Sequence, residues 1–252
     1  MCDPGVENGT AVFDCDPAGP AFRNRRMKGV HPTQRRFMRL LEVAGALAAL
    51  ILLAPLLAIV TLLILVGDGL PILFRQTRIG KNGEPFLILK FRTMRTGCGG
   101  LAITASGDRR VTRTGAWLRG LKIDELPQLI NVVQGDMSLI GPRPEVPEYV
   151  ELADDRWRKT LEVRPGITDL ASLAFRNEEA ILGPASDRDA YYRSVILPEK
   201  LRLNLQYQRS RSAPRDLKLL WMTVRYSFCP RGFERDRIIR SFAVAARDGR
   251  LG

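Results

Sequence analysis

The chain has 252 residues, 45% of them hydrophobic, which allows one or two packed domains and excludes a disordered chain. Its formal net charge of +12 points to anionic partners, namely nucleic acid, an anionic leaflet or phosphorylated substrates. The one histidine, His31, precedes the rest of the chain, so Ser-His-Asp and Cys-His chemistry cannot be built downstream. Cys2, Cys15, Cys98 and Cys229 show no CxxC spacing; free thiols in a reducing cytoplasm fit better than a zinc site or a disulfide framework.

Residues 1–30 are rich in glycine, proline and charge and read as a disordered basic tail. Val43 to Val66 is a nearly pure aliphatic run of about 24 residues, long enough to cross a bilayer core. It lacks a cleavage site and does not begin the chain, which excludes a cleaved signal peptide. Pro55 falls near its midpoint and is expected to kink or break the helix there. Each half is then roughly 18 Å of helix, too short to cross alone. Arg35, Arg36 and Arg39 precede the run, and Arg75, Arg78 and Lys81 follow it. Basic residues at both ends place both ends on the cytoplasmic side. A re-entrant helix-break-helix is therefore favoured over an ordinary kinked span.

Pro85 to Arg92 reads as a short strand, on which Lys90 and Arg92 would share a face. A glycine-rich loop through Gly97, Gly99 and Gly100 follows and carries no Walker motif. A helix is expected around Ala116 to Leu121. Leu126, Leu129, Ile130 and Val133 fall at helical spacing, with Gly135 as the stop. Pro127 is tolerated only in a first turn, which puts Asp124 and Glu125 at the helix N-terminus. Further on, Val195 to Tyr207 is expected to be helical. Asp216 is expected to cap a helix with Leu217, Leu220, Trp221, Val224 and Phe228 on one face, able to lie on a membrane surface or to pack on the core.

The chemistry concentrates in Lys122-Ile-Asp-Glu-Leu-Pro-Gln-Leu129 and Gly135-Asp-Met-Ser-Leu-Ile-Gly-Pro-Arg-Pro144. Adjacent carboxylates at a helix N-terminus are stabilised as anions and lie where phosphate oxygens gather. One carboxylate can attack while the other holds magnesium, which takes one or two protein carboxylates plus substrate phosphates. Arg143 is stiffened by Pro142 and Pro144 and can hold phosphate oxygens. Taken singly, each feature also has a plain reading: an N-cap pair, a stiff turn, or a surface arginine at Arg119.

As an ordered set the motifs resemble those of the bacterial sugar transferases, more narrowly the monotopic polyprenyl-phosphate phosphoglycosyl transferases. The resemblance runs from about Arg35 to Phe228. It is carried by Lys90-Phe-Arg-Thr-Met94, Asp108-Arg-Arg-Val-Thr-Arg-Thr-Gly115, Leu118-Arg119, Asp124-Glu-Leu-Pro-Gln-Leu129, Asn131, the two stretches ending at Pro144 and Thr168, and Ile196 to Leu201. It implies an α/β, mostly helical fold, with a re-entrant helix (31–72) broken at Ala54-Pro55. A small cytosolic catalytic domain (73–228) with a short sheet and amphipathic interfacial helices would follow, and then a basic C-terminal tail (229–252).

The resemblance also implies Asp124 as nucleophile and Glu125 as the Mg2+ ligand. Arg119 and Arg143 fall at the family's phosphate-binding positions, with Lys90 and Arg92 as further phosphate contacts. The implied reaction moves a sugar 1-phosphate from a UDP-sugar to undecaprenyl phosphate, releases UMP, and opens exopolysaccharide, lipopolysaccharide or glycoconjugate synthesis at the bacterial inner membrane. Partners expected beyond donor, acceptor and membrane lipids are downstream glycosyltransferases and a second copy in a homodimer, with no nucleic acid. The absence of a multi-span N-terminal portion suggests the minimal form of the family. Gly120, Lys122 and Asp169 depart from the expected pattern and leave the sugar open. A catalytically silent membrane scaffold that binds nucleotide-sugars or partner enzymes is the alternative reading.

Overall fold

The structure, a computed structural model, describes residues 32–95, 97, 103–104, 107–229 and 231–243. The tail assigned to residues 1–30 and Gly99 and Gly100 of the glycine-rich loop lie outside the described residues.

The apolar run forms one helix, α1 (Pro32–Gly67, 36 residues), about 54 Å long at 1.5 Å per residue. The backbone stays helical through Ala54 and Pro55, where a break was expected. The reason lies in the packing on either side of the proline. Ala46, Ala49, Leu50 and Leu53 dock beside Ile88, Leu129, Val132 and Met137. Leu56, Leu57, Val60 and Ile64 dock beside Phe91, Leu118 and Ile123. Two docked half-helices hold the axis through the one backbone hydrogen bond that proline cannot make. The opposite face, including Leu40, Ile51, Leu52, Ile59, Leu62 and Val66, is exposed.

Both ends of α1 are tied to the folded domain. Arg39 donates to the carbonyls of Met137 (2.9 Å) and Val132, and Glu42 accepts from the Ser138 hydroxyl at 2.6 Å. At the other end, the carboxylate of Asp68 accepts from the Thr112 hydroxyl at 3.0 Å. The guanidinium of Arg92 donates to the carbonyls of Asp68, Gly69 and Leu70 at 2.6–2.9 Å.

Strands β1 (Leu73–Ile79) and β2 (Pro85–Phe91) form an antiparallel hairpin, with Leu73 opposite Phe91 and Ile79 opposite Pro85. Helix α2 (Arg113–Gly120) is capped by the Thr112 hydroxyl, which accepts from the Gly115 N–H at 2.9 Å. Helix α3 (Gln128–Gln134) stops at Gly135, whose φ of 102° is one that glycine adopts without strain. The fold is mostly helical with short sheet structure, as expected, and the strands form two separate pairs. Strands β3 (Ser138–Ile140) and β4 (Gly166–Thr168) form a separate parallel pair, Ser138 with Gly166 and Ile140 with Thr168. Beyond β3 the backbones touch: a Cβ on Gly141 would lie 2.3 Å from the Arg164 carbonyl oxygen, and one on Gly166 2.1 Å from the Gly141 nitrogen.

The main core is helical. Helices α4 (Asp155–Thr160), α5 (Leu170–Ala174), α6 (Glu178–Leu182), α7 (Arg188–Tyr191), α8 (Leu197–Arg209), α9 (Ala213–Phe228) and α10 (Arg235–Phe242) follow β3, with β4 between α4 and α5. They bury Trp157, Leu170, Leu173, Leu201, Leu203, Tyr207, Leu219 and Met222. The segment read as a basic C-terminal tail therefore holds a helix, and its Ile238 and Phe242 enter this core. Helix α9 begins earlier than expected: Ser212 is its N-cap, and Asp216 instead accepts from the Tyr207 hydroxyl at 2.6 Å. It packs through Leu219, Met222 and Tyr226, while Leu217, Trp221, Val224 and Phe228 are exposed. The helix thus carries apolar residues on two faces, of which the sequence pattern marked the outer one.

Close approach makes one testable demand on the fold. A Cβ on Gly115 would stand 2.1 Å from the Thr93 carbonyl oxygen, a backbone atom that cannot rotate away. Gly115→Ala is expected to cost roughly 2 kcal/mol or more, seen as a lowered thermal midpoint of the detergent-solubilised protein.

Candidate active site

The site is built where α2, the β1–β2 hairpin and α3 meet. Lys122, at φ 59° and ψ 20°, takes the left-handed conformation that a non-glycine residue adopts at some cost, and it turns the chain from α2 into a single 3-10 turn, Ile123–Glu125. This turn feeds through Leu126 and Pro127 into α3. Asp124 and Glu125 therefore precede the α-helix by one turn and sit on their own 3-10 turn, slightly upstream of the expected position. Asp124 is only 6% exposed.

Asn131 fixes this turn against the hairpin. Its side-chain oxygen accepts from the Leu89 N–H at 3.0 Å, and its amide donates to the Leu87 carbonyl at 2.8 Å. The side chain thereby extends the edge of β2 and sets Lys90 against the carboxylates. The Lys90 ammonium lies 3.7 Å from the Glu125 carboxylate.

Arg143 arrives from the second half of the molecule. Its guanidinium grips both oxygens of Glu125, at 3.0 and 2.5 Å, a bidentate geometry open to arginine and not to lysine. Its backbone N–H donates to the Asp169 carboxylate at 2.6 Å, and the other oxygen of Asp169 accepts from the Ser172 N–H at the start of α5. Arg78 donates to the Pro144 carbonyl at 3.2 Å. The Pro-Arg-Pro loop is thus held from two sides, and the departure at Asp169 is what anchors it.

Electrostatics separate the two carboxylates. Burial raises the Asp124 carboxyl above its ordinary value, and the neighbouring charge of Glu125 raises it further. Burial works the same way on Glu125, but Arg143, Lys90 and Lys122 outweigh it and hold that carboxyl well below the usual range. The helix-terminus position therefore acts on the two carboxyls unequally once burial is counted: Glu125 is held firmly in its charged form, and Asp124 is shifted toward its neutral one. Lys90 is brought down to about 7, first by burial and then by repulsion from Arg143.

Two residues expected at the site are engaged elsewhere. The Arg119 guanidinium pairs with Glu179 of α6 and reaches Asp124 only as a weaker field that favours its charged form. Arg92 follows the last residue of β2, and its guanidinium is committed to the turn after α1. Asn131 and Asp169 were assigned no role in the site from sequence; for Asn131 the signal was a polar side chain interrupting the buried stripe of α3. Nearby, Glu145, Tyr192 and Lys200 form a buried polar network, with the Tyr192 hydroxyl 2.7 Å from Glu145.

Comparison with known proteins identifies the family. Residues 33–229 match the model of the bacterial sugar transferase family, and the chain belongs to that family. It is 38% identical over 191 residues to the UDP-glucose:undecaprenyl-phosphate glucose-1-phosphate transferase of Caulobacter vibrioides, a match covering 74% of this chain and 67% of that protein. It is 37% identical over 196 residues to the undecaprenyl-phosphate glucose phosphotransferase of Komagataeibacter xylinus, covering 74% of this chain but 35% of that longer protein. It is also 38% identical over 196 residues to the exopolysaccharide production protein PSS of Rhizobium leguminosarum bv. phaseoli, covering 74% of this chain and 92% of that protein.

Lys90 gives the site a measurable pH signature. Unfolded, this lysine holds its proton up to about 10.5; folded, it releases it near 7. The folded state binds fewer protons across that window, so the contribution of Lys90 to stability rises with pH between these values and is flat below 7. The gain in thermal midpoint from pH 7 to pH 9 should therefore be smaller in Lys90→Met than in the wild type. Equal gains would show that Lys90 is not titrating there.

Proposed function

We propose that this protein transfers a sugar 1-phosphate from a UDP-sugar to undecaprenyl phosphate, through a covalent phosphosugar on Asp124. The observation that carries the reading is the division of labour between adjacent carboxylates. Glu125 is charged and gripped by Arg143 and Lys90, while Asp124 is buried with one oxygen unpartnered. The names of the Caulobacter and Komagataeibacter relatives supply the acceptor and the sugar-phosphate chemistry.

In the first step an Asp124 carboxylate oxygen attacks the β-phosphorus of the donor. The phosphorus–oxygen bond to the α-phosphate breaks, and UMP leaves with the bonding electrons. The sugar phosphate remains as an acyl phosphate. In the second step a phosphate oxygen of undecaprenyl phosphate attacks the same phosphorus, and the Asp124 carboxylate is the leaving group. Arg143 and Lys90 would turn from Glu125 to phosphoryl oxygens, where positioned charge does most of the work in phosphoryl transfer.

Among the described residues no cluster of three or more His, Cys, Asp or Glu side chains stands ready for a metal. Magnesium does not require one, since it keeps waters and binds substrate phosphates beside one or two carboxylates. The hard oxygen donors of Glu125 and the unpartnered oxygen of Asp124 fit it, provided Arg143 yields its hold on Glu125. Glu125 is the residue that would hold Mg2+, which would supply charge neutralisation at the phosphoryl oxygens.

The location proposed is the cytoplasmic face of the bacterial inner membrane, with α1 entering the leaflet and returning without crossing. The support is that both ends of α1 are bonded to one domain while the outer face stays apolar. Pro55, where one backbone hydrogen bond is missing, is where the helix would bend. The exposed stripe Leu217, Trp221, Val224 and Phe228, with Lys218 and Arg225 on the same helix, suits the headgroup boundary. Service to exopolysaccharide or lipopolysaccharide synthesis, a homodimer and contact with downstream glycosyltransferases belong to the same proposal.

Asp124→Asn should abolish UMP release with undecaprenyl phosphate, Mg2+ and a panel of UDP-sugars, and should abolish the mass increment on protein quenched with donor alone. Adduct-free turnover by the wild type would mean direct transfer and overturn the reading. Arg143→Ala should lose activity while remaining with membranes after a high-salt wash. For topology, cysteines placed singly at 36 and 70 in a cysteine-free background should both react with an impermeant maleimide from the cytoplasmic side only. Protection of one of them would mean a spanning helix.

A further inference from the structure

Gln128 has no role in the chemistry so far, yet its position is unusual. It is 0% exposed, and neither its side-chain oxygen nor its side-chain nitrogen has a hydrogen-bond partner. A carboxamide without partners away from water is costly, and nearly all buried polar groups are satisfied. From Asp124 the chain runs through a 3-10 turn into the start of α3 at Gln128, so little more than one helical turn separates the two residues. Asp124 has an unpartnered buried oxygen of its own. Two unsatisfied, buried polar side chains this close along the chain mark a place where a polar ligand atom completes both.

The neighbouring polar groups are already used. Asn131, the next polar side chain on α3, is fully committed to Leu87 and Leu89. Glu125 is committed to Arg143 and Lys90. Of the buried polar side chains on this short helix, Gln128 is the one left with an amide donor and a carbonyl acceptor to give.

Resting on the reading of Asp124 as the nucleophile, we propose that Gln128 is a substrate contact. Its Nε2–H donates to a non-bridging oxygen of the phosphoryl group as it transfers to Asp124 and while it stays there. A neutral amide suits this place: it stabilises phosphoryl charge without pairing with, and so quenching, the adjacent carboxylate. The interaction exists only once the phosphoryl group has arrived, so it acts on the transfer step more than on donor binding.

The test uses full-length protein in detergent with the UDP-sugar that supports UMP release, and compares Gln128→Met with Gln128→Glu. Methionine keeps length and flexibility while removing the amide. The rate of adduct formation, read by intact mass in a single turnover, should fall about 10- to 100-fold, below the loss typical of a removed oxyanion donor because charged groups remain. Donor KM should change less than about threefold, and the thermal midpoint of substrate-free protein should be unchanged or higher, because an unsatisfied buried group has gone. Gln128→Glu, of nearly the same shape, should be slower still, since it sets an anion against the phosphoryl oxygens. A Met variant that forms adduct at the wild-type rate would overturn the proposal. So would one whose rate falls only in proportion to lost folded protein, which would make Gln128 a core residue. Failure of the wild type to form any adduct, or persistence of adduct in Asp124→Asn, would strike the nucleophile reading itself.

Discussion

The bidentate pair between Arg143 and Glu125 joins the two halves of this molecule at its site. On one side stands the unit of α1, the β1–β2 hairpin and α3, which carries Glu125 and Lys90. On the other stands the helical core, which reaches the site through the loop after β3. Salt bridges taken out of water are seldom a net source of stability, because desolvating both ions offsets their attraction. What this pair supplies is position. Arg143 and Lys90 favour the charged form of Glu125, while burial beside that charge disfavours the charged form of Asp124. The anchoring of Arg143 by Asp169 and of Lys90 by Asn131 makes that position reproducible.

On the proposed reaction, the same arrangement would let a water-soluble donor and a lipid acceptor meet. Helix α1 is not an appended anchor. Its inner face packs against residues 88 and 91 of β2 and residues 129 and 132 of α3, the two elements that flank the carboxylates. The packing of α1 and the geometry of the site thus share one set of interactions.

Much of the fold and part of the site were legible in the chain. The hairpin strand from Pro85, the helix stop at Gly135 and the long apolar run followed from local rules of alternation, glycine conformation and length. The pairing of Asp124 with Glu125, and the candidacy of Arg143, followed from residue chemistry. The roles of Arg92 and Arg119 were not legible. An arginine's partners lie far away in sequence: Arg92 meets the turn at residues 68–70, and Arg119 meets Glu179. Helix α9 shows the same limit, since a helical apolar stripe does not say whether it faces protein or lipid.

The amino-acid sequence by itself determined the family, the adjacent carboxylates, and a hydrophobic segment long enough for a bilayer, because these are properties of residue order and local periodicity. Tertiary structure alone decided that α1 stays helical through Pro55, that Glu125 rather than Asp124 is favoured in its charged form, and that Asp169 and Asn131 hold the site in place. Those outcomes depend on desolvation and on contacts between residues tens of positions apart, and they exist only once the chain has brought such residues together.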